Sequence, residues 1–213
     1  MTFLEQIRQL EERLFGEELN GGKRIMSERS FWHFRPSHHV KTGLLTAEDI
    51  TLLSKPGKRL LSVGAHPAFL ERLLPELGVP KENILLADKD PAIGVSAGSI
   101  ASVVFDACET WPDIGTFDRI IFPESLCIAL SDQSKSTENR NEKDAFDAAL
   151  LASILRQAFE RLRPGGILRA NGPMSHPNVI RMVEKELQQQ HLPASLESRR
   201  FFLSITPPPA AKL

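Results

Sequence analysis

Residues 58–68 read KRLLSVGAHPA, and this stretch decides the fold. Residues 60–63 form a short apolar run, typical of a strand buried within a parallel sheet. Gly64 ends the run, and Pro67 suits the first turn of a helix that residues 68–74 would continue. Such a turn can bind a negatively charged or phosphate-like group, because backbone N–H groups and the helix dipole point into it. It also occurs in α/β proteins for packing alone, so the rest of the chain must decide between the two roles.

The composition indicates an ordinary globular chain. Its 213 residues are 41% hydrophobic and 25% charged, which is enough for one well-buried domain. The formal net charge of −1 provides no global field that would recruit nucleic acid or an anionic membrane. Cys108 and Cys127 are too few for a disulfide framework and lack metal-ligand spacing. With no signal-like or membrane-length apolar run, we expect a cytoplasmic protein without a metal or a membrane partner.

The first 55 residues predict a helical extension or cap that precedes a ligand-binding domain over 56–213. Residues 2–19 carry apolar side chains on one face, and we favour a helix packed on the domain over a dimer element. Thr46 and Asp49 have the spacing of a capping box at the start of a short second helix.

Residues 23–43 mix basic and aromatic side chains, a combination that can pair phosphates and stack bases. Because the segment is short and acidic residues balance the charge elsewhere, we favour a substrate-side cap over a nucleic-acid interface. His38 and His39 form a possible ligand pair. On a strand they would point to opposite sides, so a surface or capping role is favoured.

Further along, short apolar runs alternate with helical patterns, as in a largely parallel sheet. Strands are predicted at 84–87, 102–105, 117–122, 167–170 and 201–205, and helices at 91–99, 144–163 and about 175–190. The polar segment 131–143 is either a lid or a disordered insertion.

An acidic residue, Asp88, stands where the second strand ends. Its distance from Gly64 is close to the roughly 20-residue spacing that places a carboxylate on ribose hydroxyls in dinucleotide folds. Asp88 also precedes Pro91, so it could equally cap the next helix, and both roles can hold at once.

Several motifs now fall in one order. The turn at Gly64 is followed by Asp88, by Asp106-Ala107, by the FDRII sequence at 117–121, and by the LRPGG sequence at 162–166. Over residues 58–170 this order resembles the class I S-adenosylmethionine-dependent methyltransferases. The resemblance implies an α/β fold with a doubly wound, mostly parallel, seven-stranded Rossmann-like sheet, complete or trimmed at its C-terminal strand pair. It also implies S-adenosylmethionine as cofactor.

The resemblance assigns cofactor-binding roles to residues that follow the first four strands. They are Gly64, Ala65, His66, Asp88, Lys89, Asp106, Ala107 and Pro123. The first three would offer backbone N–H groups to the methionine carboxylate, Asp88 would hold the ribose, and Lys89 would stack beside the adenine. Asp106 and Ala107 would bind the adenine edge, while Pro123 would line the acceptor pocket.

A sulfonium methyl is already activated, so positioning in a closed pocket would dominate catalysis. A base is needed only if the acceptor must lose a proton. Glu124 is the candidate catalytic base, and a structural or positioning role is an equal alternative.

The chain departs from the family pattern at Ser62, where an acidic residue is usual, and at His66 and Ala68, where glycines are usual. The alternative function is therefore a methyltransferase-like fold that binds a nucleoside or a partner without catalysis. A nicotinamide-dependent oxidoreductase is disfavoured, because residues 64–69 do not match Gly-x-Gly-x-x-Gly. The Asn/Asp-Pro-Pro-aromatic motif of base amino methylation is absent after the fourth strand. The acceptor stays open between a small molecule and an RNA or protein side chain.

Overall fold

The computed structural model describes residues 1–22, 34–123, 140–171, 177–189, 195–199 and 202–206. The strands are β1 Leu60–Val63, β2 Ile84–Asp88, β3 Ala101–Val104, β4 Phe117–Phe122, β5 Leu162–Asn171, β6 Ser195–Arg199 and β7 Phe202–Thr206. The α-helices are α1 Phe3–Gly22, α2 Pro36–Thr42, α3 Ala47–Leu53, α4 Phe69–Leu73, α5 Ile93–Ser96, α6 Arg140–Phe159 and α7 Pro177–Gln189. Short 3₁₀ turns span Leu74–Leu77 and Lys81–Asn83.

The strands form one seven-stranded sheet in the order β3-β2-β1-β4-β5-β7-β6. Strands β1 to β5 pair in parallel, whereas β7 runs antiparallel to both β5 and β6. The order differs from the dinucleotide-binding order 3-2-1-4-5-6 by the insertion of β7 beside β5. The predicted fold class is confirmed, and the C-terminal strands β6 and β7 pair to complete the count of seven among the described residues.

Helices cover both faces of the sheet. On one face α6 and α7 pack on Leu61, Ile120 and Leu168 in the larger hydrophobic cluster. On the other face α3, α4 and α5 pack against side chains such as Leu60 and Ile121, and α1 lies outside them against α4. Among the described residues, no helix is long and apolar enough to cross a membrane.

The N-terminal helices share their core with the sheet. Asp49 on α3 is 1% exposed and accepts from Arg119 Nε on β4 at 2.5 Å and from Arg169 on β5. Burial alone would raise the pKa of the Asp49 carboxyl, but the two guanidinium groups outweigh burial and hold that pKa below its usual value. The boundary between residues 55 and 56 stays a prediction.

Helix α2 was not predicted, and it corrects the interpretation of the two histidines. Pro36 stands at its start, and Gly43 closes it in the left-handed conformation with φ of 88°, donating to the carbonyls of His39 and Val40. His38 and His39 therefore lie on a helix and not on a strand, and His39 is buried.

The boundary between α6 and β5 was placed too late. The helix ends at Phe159 instead of Arg163, and the strand begins at Leu162 instead of Ile167. Within β5, between Leu162 and Ile167, the pairing with β4 shifts register. Gly165 has a φ of 74°, and a Cβ on Gly166 would lie 2.8 Å from the Arg163 carbonyl oxygen. The glycines therefore form a bulge inside the strand instead of stopping the helix.

Candidate cofactor-binding site

The turn after β1 is fastened to the end of β2. Gly64, with φ of 70°, donates its N–H to the Ala87 carbonyl at 2.7 Å, and Ala65 donates to the same oxygen at 3.3 Å. Ala68 takes the left-handed conformation with φ of 63° and donates back to Ala65, which closes the turn ahead of α4. The peptide bond before Pro67 is cis. The strand–turn–helix unit expected from the sequence is present.

Asp88 connects this turn to the next one. Its Oδ2 accepts from the His66 backbone N–H at 3.0 Å, and its Oδ1 accepts from the Asp90 N–H at 2.9 Å. The Asp90 side chain, and not that of Asp88, accepts from Ala92 just ahead of α5. Asp88 thus fastens the β1 turn and does not cap the helix, while its role on a ribose stays a prediction.

The backbone donors of the β1 turn are already engaged. Gly64, Ala65, His66 and Ala68 all donate within the protein, and Pro67 has no N–H. A ligand carboxylate at this turn would compete with those hydrogen bonds. The expectation that residues 64–66 offer free N–H groups to the cofactor therefore stays a prediction, and the described geometry does not favour that role.

Asp106 and Ala107 lie beside Asp88, because Phe105 donates its N–H to the Asp88 carbonyl at 3.0 Å. The Asp106 Oδ1 accepts from the Cys108 N–H at 2.8 Å, which leaves Oδ2 facing no hydrogen-bond donor of the described chain. Likewise, the Ala107 N–H has no acceptor within the described residues. One acceptor and one donor thus stand next to each other at the end of β3.

Trp111 holds this second turn in place, and no sequence pattern indicated that role. Its side chain is 3% exposed, and its Nε1–H donates to the Ala107 carbonyl at 3.0 Å. The ring packs between Phe105 and Phe122, with centroid distances of 5.2 and 6.2 Å. An isolated Trp in a polar loop carries no spacing signal, so only the tertiary contacts reveal its role.

The remaining predicted residues are only partly described. Pro123 is half-buried directly after β4, and Lys89 is exposed after β2. Glu124, the candidate base, lies outside the described residues, as does the polar segment up to residue 139.

A buried hydrogen bond under the β1 turn was also missed. The Ser62 hydroxyl donates to Glu71 Oε1 at 2.5 Å, and the two residues are 0% and 1% exposed. Burial raises the pKa of the Glu71 carboxyl to about 7, the Ser62 hydrogen bond opposes this, and the negative charge of Asp88 adds to it. At the position where the family usually has an acid, this chain instead has a hydroxyl bonded to an acid from α4.

A further polar group lies at the carboxyl end of β5. The Thr42 hydroxyl donates to the carbonyls of His38 and His39, so it accepts from the Asn171 amide nitrogen. That orientation also places Asn171 Nδ2 3.3 Å from His39 Nδ1, which acts as the acceptor. Asn171 Oδ1 is buried and has no partner in the described part of the chain.

A cleft of about 360 Å³ separates α1 from α2. Its walls are polar and include side chains of both charge signs; the lining residues are Arg8, Glu11, Glu12, Arg35, Ser37, His38 and Lys41. The buried Glu11 accepts from the Ser37 N–H at 2.8 Å and pairs with Arg35 at 3.1 Å. The basic and aromatic segment thus lines this cleft with its residues 35–41, while its residues 23–33 lie outside the described part of the chain. Neither the cap nor the nucleic-acid interpretation is tested by this arrangement.

No protein-family model matches this chain, and no curated protein matches it by sequence. Solved structures do match it. The N-methyltransferase NodS from Bradyrhizobium japonicum WM9, solved in complex with S-adenosyl-L-homocysteine, is 16% identical with a TM-score of 0.52, and the match covers 82% of this chain and 88% of that one. A methyltransferase homolog protein from Pyrococcus horikoshii is 15% identical with a TM-score of 0.50, and the match covers 83% and 66% of the two chains. At such identities the likeness shows the fold alone. The chain has the fold of the class I S-adenosylmethionine-dependent methyltransferases, as the order of its motifs predicted.

Proposed function

We propose that this protein transfers a methyl group from S-adenosylmethionine to a small molecule or to an RNA or protein side chain. The observation that carries the proposal is the position of the Asp88 carboxylate, at the carboxyl end of β2 and tied to the β1 turn. Ligands of open α/β sheets bind at this edge of the sheet. Each Asp88 oxygen accepts one backbone N–H and retains a further lone pair, so the pair suits the two vicinal hydroxyls of a ribose.

The end of β3 fits an adenine. Asp106 Oδ2 and the Ala107 N–H, which have no partner among the described residues, match the amino group and the adjacent ring nitrogen of the base. Trp111 donates to the Ala107 carbonyl and so anchors the turn that carries this pair. Lys89 follows Asp88 and is exposed, which suits the predicted contact with the adenine face. The hydrogen-bonding groups at the ends of β2 and β3 are therefore compatible with an adenosine-containing cofactor.

When bound, S-adenosylmethionine supplies a methyl group that its sulfonium has already activated. The protein then has to orient the acceptor and exclude water. Pro123, at the carboxyl end of β4, is the described residue expected to border that pocket, while Gly64, Ala65 and His66 of the β1 turn would lie near the methionine portion. Glu124 stays the candidate base for an acceptor that must lose a proton.

A second candidate function is a non-catalytic nucleoside-binding protein. The engaged amides of the β1 turn favour it, because they leave little for an amino-acid portion of a ligand while Asp88 and Asp106 would still hold a nucleoside. The two functions differ in what the methionine portion contributes to binding.

Isothermal titration calorimetry with S-adenosylmethionine and with adenosine tests the proposal. We expect S-adenosylmethionine to bind, and Asp88→Ala to weaken binding about tenfold to hundredfold, since two charge-assisted hydrogen bonds are lost. Glu82→Gln, in the exposed 3₁₀ turn just before β2, is the matched control and should bind as the wild type does.

The absence of heat at millimolar S-adenosylmethionine would reject the proposal. Adenosine binding as tightly as S-adenosylmethionine would favour the non-catalytic alternative. Thermal unfolding of each variant separates loss of binding from loss of the fold.

A further inference from the structure

The buried pair of Ser62 and Glu71 lies directly beneath the proposed cofactor turn. Ser62 is on β1 just before the turn, and Glu71 is on α4 just after it. Both side chains are almost fully buried and joined by a hydrogen bond of 2.5 Å. The residues that bracket the turn therefore place a carboxyl group under it without exposing that group to water.

The charged groups around Glu71 do not neutralise it. From β2, Asp88 faces it with a second negative charge. On α4 itself, Arg72 is directed to Glu18 of α1 and stacks over the Phe15 ring. From α2, His39 is directed to Asn171. Within the described residues no cation pairs with Glu71.

Two carboxyl groups, those of Glu71 and Asp88, thus share one small region in which the described part of the chain places no positive partner for Glu71. Ionisation of a buried carboxyl is costly unless a cation comes near, and a cation placed there makes the charged form favourable. Because Glu71 already has a pKa of about 7, its proton can be displaced near neutral pH. A ligand that carries positive charge over the turn would supply the missing partner.

We propose that Glu71 is a proton-linked positioning residue that ionises when a cationic cofactor binds over the 64–68 turn and thereby favours a sulfonium- and ammonium-bearing ligand over a neutral nucleoside. The inference rests on the proposed function for the identity of the ligand. In the free protein Glu71 exchanges its proton near pH 7, and its Oε1 accepts from the Ser62 hydroxyl. On binding, the proton leaves to solvent, and the carboxylate attracts the ligand cation through the turn while still accepting from the Ser62 hydroxyl.

Proton release is measured by titrating S-adenosylmethionine at pH 7 in two buffers of different ionisation enthalpy. The wild type should release about half a proton per ligand, because a group with a pKa near 7 is about half protonated at that pH. Its affinity should be about tenfold weaker at pH 6 than at pH 8. Adenosine, which carries no positive charge, should bind without proton release.

Variants assign the source of the proton. Glu71→Gln should abolish proton release and flatten the pH profile, and it should fold because it keeps an acceptor for Ser62 without a buried charge. Ser62→Ala provides a second measurement, since loss of the hydroxyl should move the midpoint of the pH profile upward. Glu76→Gln is the matched control, because Glu76 is partly exposed on the following turn and pairs with Arg13.

The His66 side chain is the other titratable group at the turn, so His66→Gln is included, and proton release should persist in it. Three outcomes overturn the inference and leave the proposed function intact: no proton release in the wild type, unchanged proton release in Glu71→Gln, or loss of proton release in His66→Gln. A wild type that shows no binding of S-adenosylmethionine rejects both.

Discussion

At the scale of single residues, Asp49 shows how one buried carboxylate joins the N-terminal helices to the sheet. It accepts from Arg119 and Arg169, which lie on neighbouring strands, while its backbone belongs to α3. It also completes the capping box with Thr46. One carboxylate thus serves both the start of a helix and the attachment of that helix to the core.

Asp49→Asn should lower the free energy of unfolding by about 3 kcal/mol or more, because it leaves two largely buried arginines without their shared anion. Urea unfolding at pH 7 measures this. The pKa of the Asp49 carboxyl is lower in the folded wild type than in the unfolded chain. The stabilisation is therefore present at neutral pH and is lost as the pH falls below about 4. In Asp49→Asn the free energy of unfolding should therefore decline less steeply over this acidic range. Asp113→Asn, on the exposed surface, is the control, and an equal effect in both variants would contradict this role.

Asp88 and Glu71 illustrate what residue-level sequence reasoning can and cannot find. Asp88 was identified because it ends an apolar run at a recognisable distance from a glycine turn. Glu71 sits in an ordinary amphipathic stretch, where a glutamate is expected on the solvent side. Its burial depends on how α4 packs against β1, and no local sequence pattern encodes this packing.

At the scale of elements, the short helix α3 depends on its first turn. Thr46 accepts from the Asp49 N–H at 3.3 Å, and the Asp49 carboxylate accepts from the Thr46 N–H at 2.9 Å. A helix of seven residues has too few internal hydrogen bonds to be stable alone, so capping and packing must hold it.

Thr46→Ala should destabilise the protein by about 1 kcal/mol, or roughly 2–4 °C in Tm for a chain of this size. Differential scanning calorimetry measures it. Thr51→Ala is a suitable comparison, because the Thr51 hydroxyl only donates back to the Ala47 carbonyl on the exposed side of the same helix. A similar drop in Tm in both variants would contradict the capping role, because it would follow from removing any threonine hydroxyl of this helix.

Element boundaries were predicted well where side chains near the ends decide them and poorly where backbone conformation decides them. The cap at Thr46 and the strand at 117–122 matched the structure. Helix α2 and the bulge of β5 did not, since both depend on glycines in the left-handed region, at Gly43 and Gly165. A glycine marks such a turn, but its sequence context does not reveal which side of the turn continues as helix or strand.

At the scale of the whole molecule, the C-terminal hairpin protects the sheet. β7 covers the edge of β5 and contributes Ile205, 1% exposed, to the larger hydrophobic cluster. An uncovered edge of a central strand would expose unpaired backbone groups to other chains. The hairpin is therefore part of the core and not an appendage.

Ile205→Ala should lower Tm by roughly 10 °C, because a cavity opens between the hairpin and β5. Thermal unfolding followed by circular dichroism checks this, and light scattering should show increased self-association. Met182→Ala, on the exposed side of α7, should change Tm little. An unchanged Tm in Ile205→Ala would mean that the hairpin contributes little to the core.

The sequence by itself determined the α/β class, the positions of the parallel strands along the chain and the acids at their ends, because periodicity and chain spacing are local properties. The tertiary structure alone decided which of these groups are still available to a ligand. The turn at residues 64–68 was expected to offer backbone donors, yet β2 and Asp88 use them, while the buried carboxyl of Glu71 appears where no motif indicated it. Hydrogen bonds and burial join residues distant in the chain, and so they follow from packing rather than from pattern.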